Sequence, residues 1–315
     1  MRKDALPDNT RRLLEVCETI PEMERFLLIG GTALALHAAH RFSEDLDFIS
    51  AESKLDRRLV DRILKRFDAM GLPRTEKVNL FAEMDMEESG LDLNDYQQDW
   101  EVVGTKVTFV VASPGSQTET VSNAKSDNLG HVRVARPETV FDLKALAISD
   151  RMRSRDVYDI WWFVEHGGRT IADLAESVER LRKHYPFDSV KGRLLYTRPP
   201  STDEGFVPIM PTAPRDLDGI RAALARRVDE YEIGLAQAAA VRKASFELAV
   251  VGVDALRALG DDAVIRQVLA DARMHATGLA ETDPQRVAFE RVAAKIKEPS
   301  VSAVVPAQGT KPPGL

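Results

Sequence analysis

Hydrophobic and polar positions follow two periods along the chain, and each change of period marks an element. Leu13, Leu14, Cys17 and Ile20 recur at helical spacing and predict a first helix over residues 8 to 19. A short apolar run, Phe26 to Ile29, then meets Gly30-Gly31-Thr32, and an apolar helix follows from Ala33 to about Ala39. Beyond it the period falls to two. Leu46 and Phe48 alternate with Asp45 and Asp47, the pattern of a strand with one apolar and one acidic face. Leu59, Ile63, Leu64 and Phe67 restore the helical period between Leu55 and Met70, where Gly71 and Pro73 end it. β-Branched and aromatic residues predict strands over Thr75 to Met84, Gln98 to Val103 and Thr105 to Val111.

Pro137 suits the first turn of a helix whose buried side is Val140, Leu143, Leu146 and Ala147. A second helix starts near Ser154 and buries Trp161, Trp162, Phe163 and Val164. After Gly167-Gly168 the pattern is helical, over 170–184, 214–235, 236–259, 261–275 and 284–297, with a Pro-rich break from Arg198 to Pro214. The expected organisation is one domain over 1–167, a helical domain over 168–297 and a disordered tail over 298–315, rich in Pro and small residues.

Composition narrows the class. The chain of 315 residues is 44% hydrophobic and 30% charged, and no apolar run approaches the ~20 residues of a membrane span. No apolar leader follows Met1, and the single cysteine, Cys17, cannot form an internal disulfide, so the cytoplasm is the expected compartment and no membrane partner is expected. A net charge of −7 excludes a globally basic nucleic-acid coat. One local patch stands out. Arg180, Arg182, Lys183, Lys191, Arg193 and Arg198 run against Asp188 alone, with Tyr185 and Tyr196 interleaved. Such a run suits a phosphate backbone and a stacked base, and equally a solvated helix end and loop.

The chemistry concentrates between Leu27 and Phe48. Glycines let the backbone approach a ligand, and a helix N-terminus offers unpaired N–H groups to an anion. Asp45 and Asp47 project to one side of their strand, about 6 to 7 Å apart at Cβ for a ~3.3 Å rise per residue. Like charges so close repel, and a divalent cation, Mg²⁺ or Mn²⁺, lets both stay ionised. An anion cradle beside a metal site is the chemistry of phosphoryl or nucleotidyl transfer.

Gly30-Gly31-Thr32 followed by Arg41-x-Ser43-x-Asp45-x-Asp47-Phe48 resembles the signature of polymerase-β-type nucleotidyltransferases, and in particular the nucleotidyl transferase AbiEii/AbiGii toxin family. A second stretch, Lys144 followed by Arg155-Asp156-x-Tyr158-Asp159, resembles the same family. The resemblance implies an α/β (α+β) nucleotidyltransferase core with a mixed sheet, followed by a mainly helical domain. It implies Mg²⁺ or Mn²⁺ on Asp45 and Asp47, and a nucleoside triphosphate whose phosphates meet Gly30, Gly31, Thr32, Arg41, Ser43 and Lys144. Asp159, ahead of Asp156, would serve the reacting hydroxyl as base or positioning group. An intrahelical network, Arg155 with Asp159 and Arg151 with Asp156, is the structural alternative. The implied acceptor is RNA, of the tRNA 3′-end kind, and the implied partner a cognate antitoxin. Protein nucleotidylation, or nucleotide or antitoxin binding without turnover, are the other readings. The chain departs from the pattern at one place: the strand Lys106 to Val111 offers Lys106 or Thr108 where a third carboxylate is expected.

Overall fold

The computed structural model describes residues 1–196, 203 and 205–296. The expected tail over 298–315 lies outside them. The chain forms two compact units, Met1–Tyr231 and the remainder from Glu232. Residue 168, the boundary expected from sequence, falls inside the first.

The first unit is built on one seven-stranded mixed sheet. In chain order its elements are α1 (Asp8–Cys17), β1 (Leu27–Ile29), α2 (Gly30–Ala38), β2 (Leu46–Ser50), α3 (Arg57–Ala69), β3 (Arg74–Glu76) and α4 (Leu80–Glu88). There follow β4 (Gln97–Val102), β5 (Thr105–Val111), α5 (Ser116–Ser122), β6 (Ser126–Leu129), β7 (Val132–Ala135), α6 (Pro137–Asp150), α7 (Ser154–Glu165), α8 (Ile171–Leu181) and α9 (Phe187–Leu195). Across the sheet the order is β3-β4-β5-β2-β1-β7-β6. The parallel pairs are β2 with β5 and β1 with β7; the rest are antiparallel. Strand β2 is therefore internal, and its apolar face carries Leu46 and Phe48, both fully buried. Phe26, Phe48 and Phe109 form an aromatic cluster, with ring centroids 5.1 and 5.7 Å apart at the two contacts with Phe109.

The helices follow their apolar spacing. Asp56 caps α3 by accepting from the N–H groups of Arg58 and Leu59, and Leu59, Val60, Ile63, Leu64 and Phe67 are buried. Pro137 opens α6, a helix buried on most sides because α2, α7, α8 and α9 all pack against it. That position makes α6 a rigid rear wall for whatever α2 and α7 carry.

One predicted strand is a helix. Thr75 to Met84 supplies only the last two residues of β3, after which Asn79 accepts from the N–H of Ala82 and caps α4. Leu80, Phe81 and Met84 remain exposed, so α4 has no buried face to give it a readable period. The basic patch is also changed. Arg180 pairs with Asp142, Arg182 with Asp150 and Lys191 with Asp188, while Arg193 donates to the Tyr185 hydroxyl and to main-chain carbonyls at the end of α6. These four cations are engaged within the unit, Lys183 is exposed, and Arg198 lies outside the described residues.

Helix α10 (Leu217–Val251) runs on past Tyr231. The second unit's own core gathers residues from its end and from α11 (Val253–Arg257), α12 (Asp262–Ala276) and α13 (Pro284–Lys295). Phe246 is central to it, with its ring 5.6 Å from that of Phe289.

Candidate active site

The site starts where β1 gives way to α2. Ile29 pairs with Asp47 across β1 and β2, so the chain leaves the strand beside the acidic face. Gly30 turns there with φ +74°, and a Cβ on it would stand 3.0 Å from Asp47 Oδ2. At Gly31 the space is tighter: a Cβ would lie 2.1 Å from Arg41 Nη2 and 2.9 Å from Ser43 Oγ. The glycines thus make room for the site's own side chains. Thr32, fully buried, donates to the Asp45 carbonyl and lies 2.9 Å from Ser43 Oγ, which braces the turn against the segment leading into β2. Gly31, Thr32 and Ser43 form an inner layer, and Gly30, Asp45 and Asp47 lie outside it.

Behind that layer is a buried network centred on Asp159 of α7. Arg41 forks onto it, Nε to Oδ1 at 2.7 Å and Nη2 to Oδ2 at 3.1 Å. His40 Nε2 lies 2.8 Å from Oδ1, and Lys144 Nζ reaches Oδ2 at 2.5 Å. Lys144 also holds Asp156 Oδ1 at 2.7 Å, and Arg151 holds the other oxygen of Asp156 at 3.0 Å. Burial alone would raise the pKa of both carboxylates, but the neighbouring cations override it. Arg41 and Lys144 hold Asp159 well below the usual range, and Lys144 and Arg151 bring Asp156 down to about 2. Burial lowers the pKa of His40 against the pull of Asp159, so a neutral ring donates from Nε2, and its Nδ1 has no partner among the described residues. The Tyr158 hydroxyl donates to the His40 carbonyl at 2.9 Å, and residues 207 and 209 bond the main chain at 40 and 42. The His40-Arg41-Phe42 segment is clamped from both sides.

This placement bears on three expectations. Asp159, expected at the reacting hydroxyl, is 0% exposed, with both oxygens committed to His40, Arg41 and Lys144. Arg41, expected at the donor phosphates, is forked onto Asp159. Of the expected intrahelical pairs, Arg151 with Asp156 is present, whereas Asp159 is held by residues of other elements.

The outer carboxylates differ from the inner ones. Asp47 has no ion pair among the described residues; burial and then the charge of Asp45 push its pKa up. Asp45, 27% exposed at its side chain, accepts from Arg155 Nη1 at 3.0 Å. Two carboxylates, one of them carrying an unfavourable charge, fit a divalent cation by donor chemistry and by electrostatics. No group of three or more His, Cys, Asp or Glu side chains suited to a metal occurs among the described residues. At the register of the expected third carboxylate, Asp47 faces Thr108, and Thr108 faces Asp99 one strand further out. Thr108 Oγ1 donates to Asp99 Oδ1 at 2.7 Å. The nearest carboxylate on that side is displaced to β4.

Three residues of the site escape a reading of the sequence. His40 has only its place before Arg41 as a signal. Arg155 stands in a recognisable motif but pairs with a residue 110 positions away. Asp99 lies in a segment legible as a strand, and nothing local reveals its neighbour Thr108.

A mixed sheet with an acidic pair on an internal strand, beside a glycine turn and backed by a buried cation network, is the arrangement of a nucleotidyltransferase. The model of the family described as nucleotidyl transferase AbiEii toxin, Type IV TA system, matches residues 12–244, and the chain belongs to that family. The expected fold class and enzyme class are thereby established. An uncharacterized protein of Aquifex aeolicus (strain VF5) is 24% identical over 197 residues, 62% of this chain and 84% of its own length. Among solved structures, an H. pylori protein assigned as a nucleotidyltransferase aligns with TM-score 0.40 at 17% identity, over 73% of this chain and 98% of its own. MenT4, a nucleotidyltransferase toxin from Mycobacterium tuberculosis H37Rv, aligns with TM-score 0.40 at 16% identity, over 71% and 86%. No helix among the described residues is long and apolar enough to cross a membrane.

Proposed function

We propose that this nucleotidyltransferase is the toxin of a bacterial toxin–antitoxin pair and transfers a nucleoside monophosphate from a nucleoside triphosphate to the hydroxyl of an RNA acceptor of the tRNA 3′-end kind. The observation that carries the transfer step is the Asp45–Asp47 pair, half-buried, with no ion pair on Asp47 among the described residues. Family membership supports the toxin role and the nucleotide donor.

In this reading Asp45 and Asp47 hold Mg²⁺ or Mn²⁺. When bound, the cation supplies charge neutralisation to the donor phosphates. The protein's own contribution is position. Gly30 keeps the approach to Asp47 open, because any side chain there meets the carboxylate. Lys144 uses two of its three N–H bonds on Asp156 and Asp159, which leaves one for a donor phosphate. Gly31, Thr32, Ser43 and Arg41 hold the turn in place, and Asp159 fixes Arg41 and Lys144. A reaction of this kind asks mostly for positioning and electrostatics, which a buried, fully paired network delivers.

The test is incubation of purified protein with Mg²⁺, each α-³²P-labelled nucleoside triphosphate and total bacterial RNA, with Asp47→Ala beside it. Label entering small RNA with wild type alone is the expected result and identifies the donor. Label entering protein makes protein nucleotidylation the correct reading. Label in neither, with nucleotide binding retained, removes the transfer reading and leaves a binding module.

A further inference from the structure

Arg155 is the second residue of α7, whose other charged groups near the site are tied inward: Asp156 to Lys144 and Arg151, Asp159 to Arg41, Lys144 and His40. Its guanidinium points the other way. It leaves α7, crosses to the segment entering β2 and places Nη1 3.0 Å from Asp45 Oδ2. Both partners are partly open to solvent, 22% and 27% at their side chains, so neither is locked by packing as Arg41 and Asp159 are, at 3% and 0%. The contact also falls on one member of the pair only. Asp45 carries the ion pair, and Asp47, its neighbour, has none among the described residues.

From this geometry we propose, resting on the nucleotidyl-transfer reading above, that Arg155 is a positioning residue that holds Asp45 in the nucleotide-free protein and passes to the donor's phosphates when a nucleoside triphosphate enters. A guanidinium on Asp45 competes directly with a divalent cation for the same oxygen. A triphosphate gives that guanidinium a stronger, bidentate partner and releases the carboxylate. Asp45 thus becomes fully available to a metal together with the nucleotide. The bland alternative is a half-exposed ion pair that only adds a little stability. The two differ in sign. Removing a merely structural pair leaves metal affinity unchanged or loosens it, whereas removing a competitor tightens it.

Mn²⁺ titration followed by the EPR signal of free ion reads this without turnover, on the full-length protein, for wild type, Arg155→Ala and Asp45→Asn. Without nucleotide, Arg155→Ala should bind Mn²⁺ about tenfold more tightly than wild type, as expected for loss of one competing cation at contact distance in a partly solvated site. With a non-hydrolysable triphosphate analogue present, the advantage should vanish. Affinity for that analogue, measured by calorimetry, should fall about tenfold in the same variant. Mn²⁺ affinity in Arg155→Ala equal to or below that of wild type overturns the proposal while leaving the carboxylate pair as the metal site. Mn²⁺ binding that is absent from wild type with and without analogue, or undiminished in Asp45→Asn, overturns both this proposal and the function it rests on. Should Arg155→Ala fail to fold, Arg155→Gln carries the same expectation.

Discussion

Gly31→Ala tests the inner layer of the site. The added methyl would stand 2.1 Å from Arg41 Nη2 and 2.8 Å from Cζ, distances no side chain tolerates. Elsewhere an arginine tip would swing aside at small cost. Here it is 3% exposed and forked onto a fully buried Asp159, so moving it breaks a buried ion pair. Outright loss of one member of such a pair costs about 3–5 kcal/mol. Lys144 and His40 stay on Asp159 in the variant, so the expected loss is smaller, about 2–4 kcal/mol. Against an m-value of roughly 2–3 kcal/mol/M, the urea midpoint should fall by about 1 M. All three tryptophans, Trp100, Trp161 and Trp162, belong to the first unit, so their fluorescence follows its unfolding alone. The decisive comparison is a double-mutant cycle. In an Arg41→Ala background most of the clash is gone, the alanine gains roughly 0.5–1 kcal/mol of helix preference, and Gly31→Ala should cost less than about 1 kcal/mol. Equal costs in both backgrounds, within about 0.5 kcal/mol, would refute the reasoning.

Two further outcomes follow from the carboxylates. Asp47 has a raised pKa, so in the metal-free protein its contribution to stability is lost as pH rises from the unfolded value, about 3.9, through the folded one. Asp47→Asn should therefore melt above wild type at pH 7 without metal, with the gap closing below about pH 4; a lower melting temperature at neutral pH would sink the assignment. Asp156 and Asp159 have the opposite sign: their stabilisation is complete above about pH 4 and is lost as pH falls through the folded values, about 2 for Asp156 and well below the usual carboxylate range for Asp159. Acid titration followed by tryptophan fluorescence should show the Asp156→Asn variant less stable than wild type at pH 7, and the difference shrinking between pH 4 and 2.

Much of this was readable from residue order, because local rules govern it. Leu46 and Phe48 alternate with two aspartates, and the structure buries the first pair and turns the second outward, as a period of two requires. Helices α3, α6 and α7 lie where their apolar spacing puts them. Where burial is absent, periodicity has nothing to report, and for that reason the start of α4 reads as strand in the sequence. Strands β6 and β7 are harder to read, although Val132 and Val134 alternate after the turn at Gly130; β7 is short and is buried because β1 pairs with it from over a hundred residues upstream. Site roles divided along the same line. The acidic pair was legible as a pair, whereas the partners of Asp159 and of Asp45 come from other elements, and only the folded chain shows which cation meets which carboxylate.

The separation of those partners has a temporal side. Arg41 and Asp159 are 118 residues apart, and β1 cannot complete its parallel edge until Val134 exists. A ribosome adding about 5–20 residues per second needs roughly 6–24 s to pass from one member of the ion pair to the other. Through that interval the Asp45–Asp47 strand is outside or near the exit while the wall that organises it is unmade. A site assembled this way stays incomplete until the chain is more than half made, and a message cut short before α7 yields a polypeptide with Asp45 and Asp47 but without the Asp156 and Asp159 that order Lys144 and Arg41.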